Sequence, residues 1–201
     1  MGKQAPNEMN QTSDLIELSE LAALCAKELE GPIAQAGSMV QETLEQGGTL
    51  FFCGNGGSAA DAQHLAAEYV VRFKRARGPL RALALTTDTS VLTAGANDFG
   101  FEDVFARQVE ALAREGDLLF LHSTSGESEN LLRAAAAARN ARMYTVALLA
   151  RGGGRLRQEV DLALVIPTET VARAQELHLA IGHAICERVD RHFAEGSGGS
   201  S

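Results

Sequence analysis

Five short apolar segments constrain what this chain can fold into more than any other feature: Thr49 to Cys53, Ala82 to Leu85, Leu118 to His122, Tyr144 to Leu149 and Leu162 to Ile166. None shows the apolar/polar alternation of a half-solvated strand, so each suits burial on both faces. Stretches with helical character separate most of them. That order predicts an α/β fold, a five-stranded parallel sheet flanked by helices, closed by a last helix from about Val171 to Phe193. Ahead of the sheet, Ser13 or Asp14 can cap a helix in which Leu15, Leu18, Leu21 and Cys25 recur at helical spacing. Gly31-Pro32 breaks or restarts it before a second stretch reaching Gln46, which gives an antiparallel hairpin or a kinked helix. Ligands of such sheets bind beyond the carboxyl ends of the strands, so the loops after Cys53 and His122 are the first candidates for a site.

With 201 residues, 45% of them hydrophobic, the chain can bury one proper core. The expected organisation is a flexible N-terminus over 1–12, a single domain over 13–195 and a disordered Gly/Ser tail over 196–201. A formal net charge of −8 argues against a non-specific nucleic-acid binder. The one basic cluster, Arg72 to Arg77, reads as a solvated helix end. Cys25, Cys53 and Cys186 are odd in number, far apart and set in apolar surroundings, which suits buried thiols in a reducing compartment. With no segment approaching the roughly 20 apolar residues of a membrane span and a polar start without a signal core, a cytoplasmic location is expected.

The first loop, Gly54-Asn55-Gly56-Gly57-Ser58, lies between a strand and the helix carrying Asp61 and His64. Glycines there let a ligand approach the backbone N–H groups at a helix N-terminus, although a Gly-rich turn with Ser58 as N-cap would look the same. It lacks the Gly-Lys-Ser/Thr of a nucleotide loop and the full spacing of a dinucleotide fingerprint. The second loop, Ser123-Thr124-Ser125-Gly126-Glu127-Ser128, carries four hydroxyls in six residues and again opens a helix. A capping box on Ser125 or Ser128 explains one hydroxyl; a phosphate site explains all four. No nucleophile elbow surrounds any of these serines.

His64 and Glu68, four apart, share one helix face and can chelate a divalent cation or form a surface ion pair. The last helix adds Gln175, His178 and His183. Two imidazoles, a carboxylate and an amide oxygen suit zinc better than nickel or manganese. Gln175 and His183 are eight residues apart, about 12 Å along a helix. Either the metal lies midway, or Gln175 precedes the regular helix, or a neighbouring chain supplies one ligand.

These loops resemble those of the SIS (sugar isomerase) family, and the resemblance runs from Gly47 to Phe193. It implies a five-stranded parallel sheet binding a phosphosugar, with Ser123, Thr124, Ser125 and Ser128 on the phosphate and Asn55, Gly56 and Gly57 lining the sugar site. Asn97-Asp98, in what reads as a turn from Ala94 to Gly100, matches a further substrate-contacting pair. Ala62-Gln63-His64-x-x-x-Glu68 with Gln175-Glu176-x-His178-x-x-x-x-His183 is similar to the members that isomerise a seven-carbon sugar phosphate, sedoheptulose 7-phosphate, to its aldose for lipopolysaccharide or capsule. That similarity implies zinc on His64, Glu68, Gln175 and His183, contact of Glu68 and Gln175 with substrate, and a homotetramer with sites at subunit interfaces. Moving a proton between C1 and C2 needs a base and an acid, for which Glu68 and His183 are the candidates. If Glu68 or His183 both ligates the metal and transfers protons, its coordination must loosen during turnover. His178 is expected to pack or support. The alternative is a non-catalytic phosphosugar-binding module of the replication-initiator-associating type, which would not need the Glu68 and His183 pair. His122 departs from the family pattern and is expected to be a core histidine bonded to backbone.

Overall fold

The computed structural model describes residues 12–196; the expectations for the first eleven residues and for 197–201 lie outside the described residues. Helices α1 (Ser13–Glu28) and α2 (Glu30–Glu45) precede strand β1 (Leu50–Gly54), α3 (Gly57–Val70), β2 (Ala82–Ala84), α4 (Thr89–Phe99) and α5 (Ala106–Leu112). Then follow β3 (Leu118–Ser123), α6 (Glu129–Asn140), β4 (Tyr144–Ala150), β5 (Leu162–Ile166) and α7 (Val171–Gly196). The five strands are parallel in the order β2-β1-β3-β4-β5. The order reverses between β1 and β3, and a crevice beyond their carboxyl ends is the expected ligand site of an open parallel sheet.

The absence of alternation in the strands has a direct cause. On one face Leu50, Phe52, Leu118, Phe120, Leu148 and Leu164 join the core beneath α2, α3 and α7. On the other, Phe51, Cys53, Leu119, Leu121 and Leu149 pack under α5 and α6. Both faces of the central strands are dry, so nearly every position carries an apolar side chain, with His122, Ser123 and Thr145 as the buried polar exceptions. All three cysteines are buried and free.

Three local expectations are corrected. Thr12, not Ser13 or Asp14, occupies the N-cap position of α1, and α1 has no side-chain capping bond. The helical break falls at Leu29 rather than at Gly31-Pro32, because Pro32 has no N–H for the Glu28 carbonyl four residues back and its ring crowds that carbonyl. The supposed turn from Ala94 to Gly100 is the second half of α4: the Asp88 carboxylate accepts from the Val91 N–H at 3.0 Å and starts the helix, and Gly100 at φ 100° ends it.

Candidate functional site

α3 leaves β1 through Asn55 and Gly56. Gly56, at φ 57°, takes the N-cap position, a backbone conformation open to glycine, and the Ser58 N–H donates to the Asn55 carbonyl at 3.0 Å. Ser58 is therefore inside the helix and not its cap, contrary to the sequence reading; its buried side chain lines the cleft described below.

α3 and α7 lie side by side and run in the same direction. A Cβ on Gly57 would stand 2.6 Å from the Gln175 amide nitrogen, and one on Gly182 would strike Leu65. Two turns further along, His64 Nε2 meets His183 Nε2 at 2.8 Å and Glu68 Oε1 at 3.3 Å. The donor atoms of His64, Glu68 and His183 all lie within 4.8 Å of one another. Phe73 stacks on the His183 ring at 5.2 Å. Burial lowers the His183 pKa, and His64 and Lys74 add to the shift against the opposing pull of Glu68; a ring kept neutral is free to ligate. Two imidazoles and a carboxylate this close fit a divalent ion of the zinc type, with room for water or substrate. Asp61, half-buried one turn before His64, has its carboxyl pushed up by burial against the pull of His64.

Gln175 does not precede the regular helix; it is the fifth residue of α7. Its amide rests against Gly57 and lines a polar cleft of about 80 Å³ shared with Asn55, Ser58, Ser123, Thr124, Ser125 and Ser128. The larger clefts, of about 560 Å³ beside β2 and α5 and about 450 Å³ between α1 and the β5–α7 connection, lack this convergence of hydroxyls; the second is lined by Glu17, Glu20 and Glu169, which repel an anion.

In the hydroxyl loop, Ser123 Oγ accepts from the Gly126 N–H at 2.9 Å and Ser125 Oγ from the Glu127 N–H at 3.2 Å. Each hydroxyl hydrogen is then still available to an anion. Ser128 holds the N-cap position of α6 without a side-chain capping bond, so the capping explanation fails for it. The loop is clamped from outside. The Gly126 α-carbon abuts the Gly153 carbonyl, the Leu156 N–H donates to the Gly126 carbonyl at 3.0 Å, and Arg155 pairs with Glu127 at 2.9 Å.

Asn130, missed by sequence reasoning, joins the two loops. Its amide and that of Asn55 exchange hydrogen bonds of 2.9 Å in both directions. In the sequence it is only an amide two residues beyond the hydroxyl loop. Asn97 and Asp98, by contrast, are exposed on α4 and bond to each other at 2.7 Å; within this chain neither lines the polar cleft. The basic cluster is no patch: Lys74, Arg75 and Arg77 are paired with Glu187 and Asp190.

His122 is fully buried, yet neither ring nitrogen has a hydrogen-bond partner among the described residues, which corrects the expected backbone bond. It lines the polar cleft, and burial with the nearby His178 lowers its pKa to about 3.

The SIS domain model matches residues 16–150. Phosphoheptose isomerase of Roseiflexus sp. (strain RS-1) is 55% identical over 78% of this chain and 79% of its own length; that of Akkermansia muciniphila is 48% identical over 84% and 89%. The chain belongs to the phosphoheptose isomerase family. Among solved structures, phosphoheptose isomerase GmhA from Neisseria gonorrhoeae superposes with a TM-score of 0.85 at 42% identity, covering 90% of this chain and 96% of that one. The phosphoheptose isomerase from Francisella tularensis gives 0.87 at 37%, over 92% and 99%. Membership of the phosphoheptose isomerases makes this chain an enzyme of the isomerase class. Among the described residues, no helix is long and apolar enough to cross a membrane.

Proposed function

We propose that this chain is a metal-dependent aldose–ketose isomerase converting sedoheptulose 7-phosphate to D-glycero-D-manno-heptose 7-phosphate, feeding lipopolysaccharide or capsule from the cytoplasm. The observation that carries the reading is the gathering of His64, Glu68 and His183 beside the cleft lined by the hydroxyl loop. Ser123, Thr124, Ser125 and Ser128 take the phosphate; Asn55, Gly56, Gly57, Asn97, Asp98, Glu68 and Gln175 contact the sugar. His64, Glu68 and His183 hold a zinc ion, with the Gln175 amide of a neighbouring copy as the fourth ligand, because within one chain Gln175 stands two helical turns away against Gly57. When bound, the ion polarises the carbonyl and stabilises negative charge on its oxygen.

The proton chemistry belongs to the protein. Glu68 takes the proton from C1 while His183, protonated for this step and so not ligating during it, gives one to the C2 carbonyl oxygen, which yields the enediol. His183 then takes the O1 proton, Glu68 returns its proton to C2, and the aldehyde forms at C1. The domain runs from 13 to 195 and works as a homotetramer; exposed Leu15, Ile16 and Leu24 on α1 and Val91 and Phe99 on α4 supply apolar surface for partner copies.

The test is incubation with sedoheptulose 7-phosphate, with and without a chelator, following the aldose. Product that disappears on chelation and returns with zinc is expected. Equal product in both arms would remove the metal from the reaction, and binding without product would leave the non-catalytic alternative.

A further inference from the structure

The cleft has an uncharged floor that the proposed chemistry does not use. His122 is the last-but-one residue of β3, on the same face as Leu118 and Phe120, with its ring 6.4 Å from that of Phe52 and 6.5 Å from that of Phe120. Behind it stands His178 of α7, edge-on at 6.3 Å. Both are 0% exposed, and neither ring nitrogen of His122 has a hydrogen-bond partner among the described residues, whereas His178 has at most a weak one to the Leu149 backbone. Leaving a buried polar group unpaired is costly, so such groups almost always have a partner, whether protein, water or ligand. For His122 the polar space within reach is the cleft it lines with Ser123, Thr124 and Gln175.

The partner's chemistry follows from the charge state. Burial holds both rings neutral, at about 3 for His122 and about 4 for His178. A neutral imidazole offers one N–H donor and one acceptor nitrogen. A phosphate, which accepts, can use only the N–H of such a ring and already has the hydroxyl loop. A sugar hydroxyl both donates and accepts, and matches it.

We infer that His122 is a substrate-positioning residue whose imidazole hydrogen-bonds a hydroxyl of the sugar phosphate, just inside the phosphate site. The inference rests on the reading of the cleft as a sugar phosphate site and adds to it a determinant for the carbon chain rather than for the anion.

The experiment measures, by calorimetry on the full chain, binding of sedoheptulose 7-phosphate and of inorganic phosphate to wild type, His122→Leu and His122→Gln. The expected result is a roughly 3- to 10-fold weaker sugar phosphate affinity for His122→Leu, the loss associated with one net hydrogen bond. Inorganic phosphate should bind unchanged, and His122→Gln, which keeps a donor and an acceptor, should recover part of the loss. If His122→Leu does not fold, His122→Phe, matched to the stack of Phe52 and Phe120, replaces it in the comparison. Equal weakening of both ligands would assign His122 to the phosphate, and no weakening of either would make it packing alone; each overturns the inference. Wild type that binds sedoheptulose 7-phosphate but does not turn it over defeats the isomerase reading while leaving this comparison intact. Wild type that prefers neither ligand defeats both.

Discussion

Glu68 stands in the last full turn of α3 with its side chain one-fifth exposed, close enough to His64 to share a ligand and open enough to meet a substrate carbon. Glu68→Gln and His183→Gln keep the shape and, on the proposed mechanism, lose the proton chemistry. Turnover is expected to drop by roughly 10²- to 10⁴-fold, the contribution of a general acid or base, with the thermal midpoint little changed. Near-normal turnover in either variant would take that residue out of the reaction. Gly57 makes a different test. Its φ is unremarkable, so alanine is barred only by the Gln175 amide. Gly57→Ala should leave the protein folded but displace Gln175, raising KM for the sugar phosphate; an unchanged KM would mean that Gln175 does not touch the ligand.

At the scale of elements, the site is two helices and two loops held in register. Arg77 governs one end. Its guanidinium donates to the Glu68 and Tyr69 carbonyls at 2.8 and 2.9 Å and to Asp190 on α7 at 2.8 Å, so it terminates α3 and ties it to α7 at once. Both side chains of that pair are nearly inaccessible, at 2% and 1%. Arg77→Met takes the guanidinium from Asp190 and leaves it the Lys74 and Arg75 N–H groups, and breaking a buried pair costs up to about 3–5 kcal/mol; the variant should melt below wild type and lose metal affinity as Glu68 and His183 part. A wild-type melting curve would contradict this. The strands and the His64/Glu68 pair were legible in the sequence because burial and helical spacing are local patterns. The second half of α4 reads as a turn because Gly95 and Asn97 are weak helix formers, whereas the Asp88 cap that starts the helix lies six residues before Ala94. Asn130, the Arg155 clamp and the unbonded ring nitrogens of buried His122 were not legible, since each depends on residues far away in the chain.

Across the whole molecule, acid should act in two stages. His122 and His178 have pKa values lowered to about 3 and about 4, so below their ordinary value of 6.5 the unfolded chain takes up protons that the folded one refuses. Stability then falls as pH drops, by up to about 1.4 kcal/mol per pH unit for each histidine. The second stage comes from Glu187, held at about 2 chiefly by hydrogen bonds from Lys74 and Arg75. Asp190 joins it: burial alone would raise its carboxyl, but the Arg75 and Lys74 N–H groups and the Arg77 guanidinium hold it below its usual range. The support of these two is complete above pH 4.5 and disappears as pH falls through their lowered values. Chemical denaturation between pH 8 and pH 3 should show a decline beginning near pH 6.5, shallower in His122→Leu; a flat profile down to pH 4.5 would mean that the two rings are not buried neutral. α1 carries a related consequence for assembly. Cys25 is its one buried side chain, too little to hold sixteen residues helical in isolation. Light scattering should find an oligomer, with a melting temperature that rises with protein concentration; a monomer at every concentration would leave α1 without the partner proposed for it.

Because α3 and α7 run alongside each other, the Gly57–Gln175 contact and the His64–His183 contact are separated by seven residues on one helix and eight on the other, about 10–12 Å of rise. On the proposed function this spacing serves as a gauge for carbon count: a ketose anchored by its ester at one level would reach the proton-transferring groups at the other only with a long enough backbone, and five-carbon analogues would then be disfavoured by helical pitch alone.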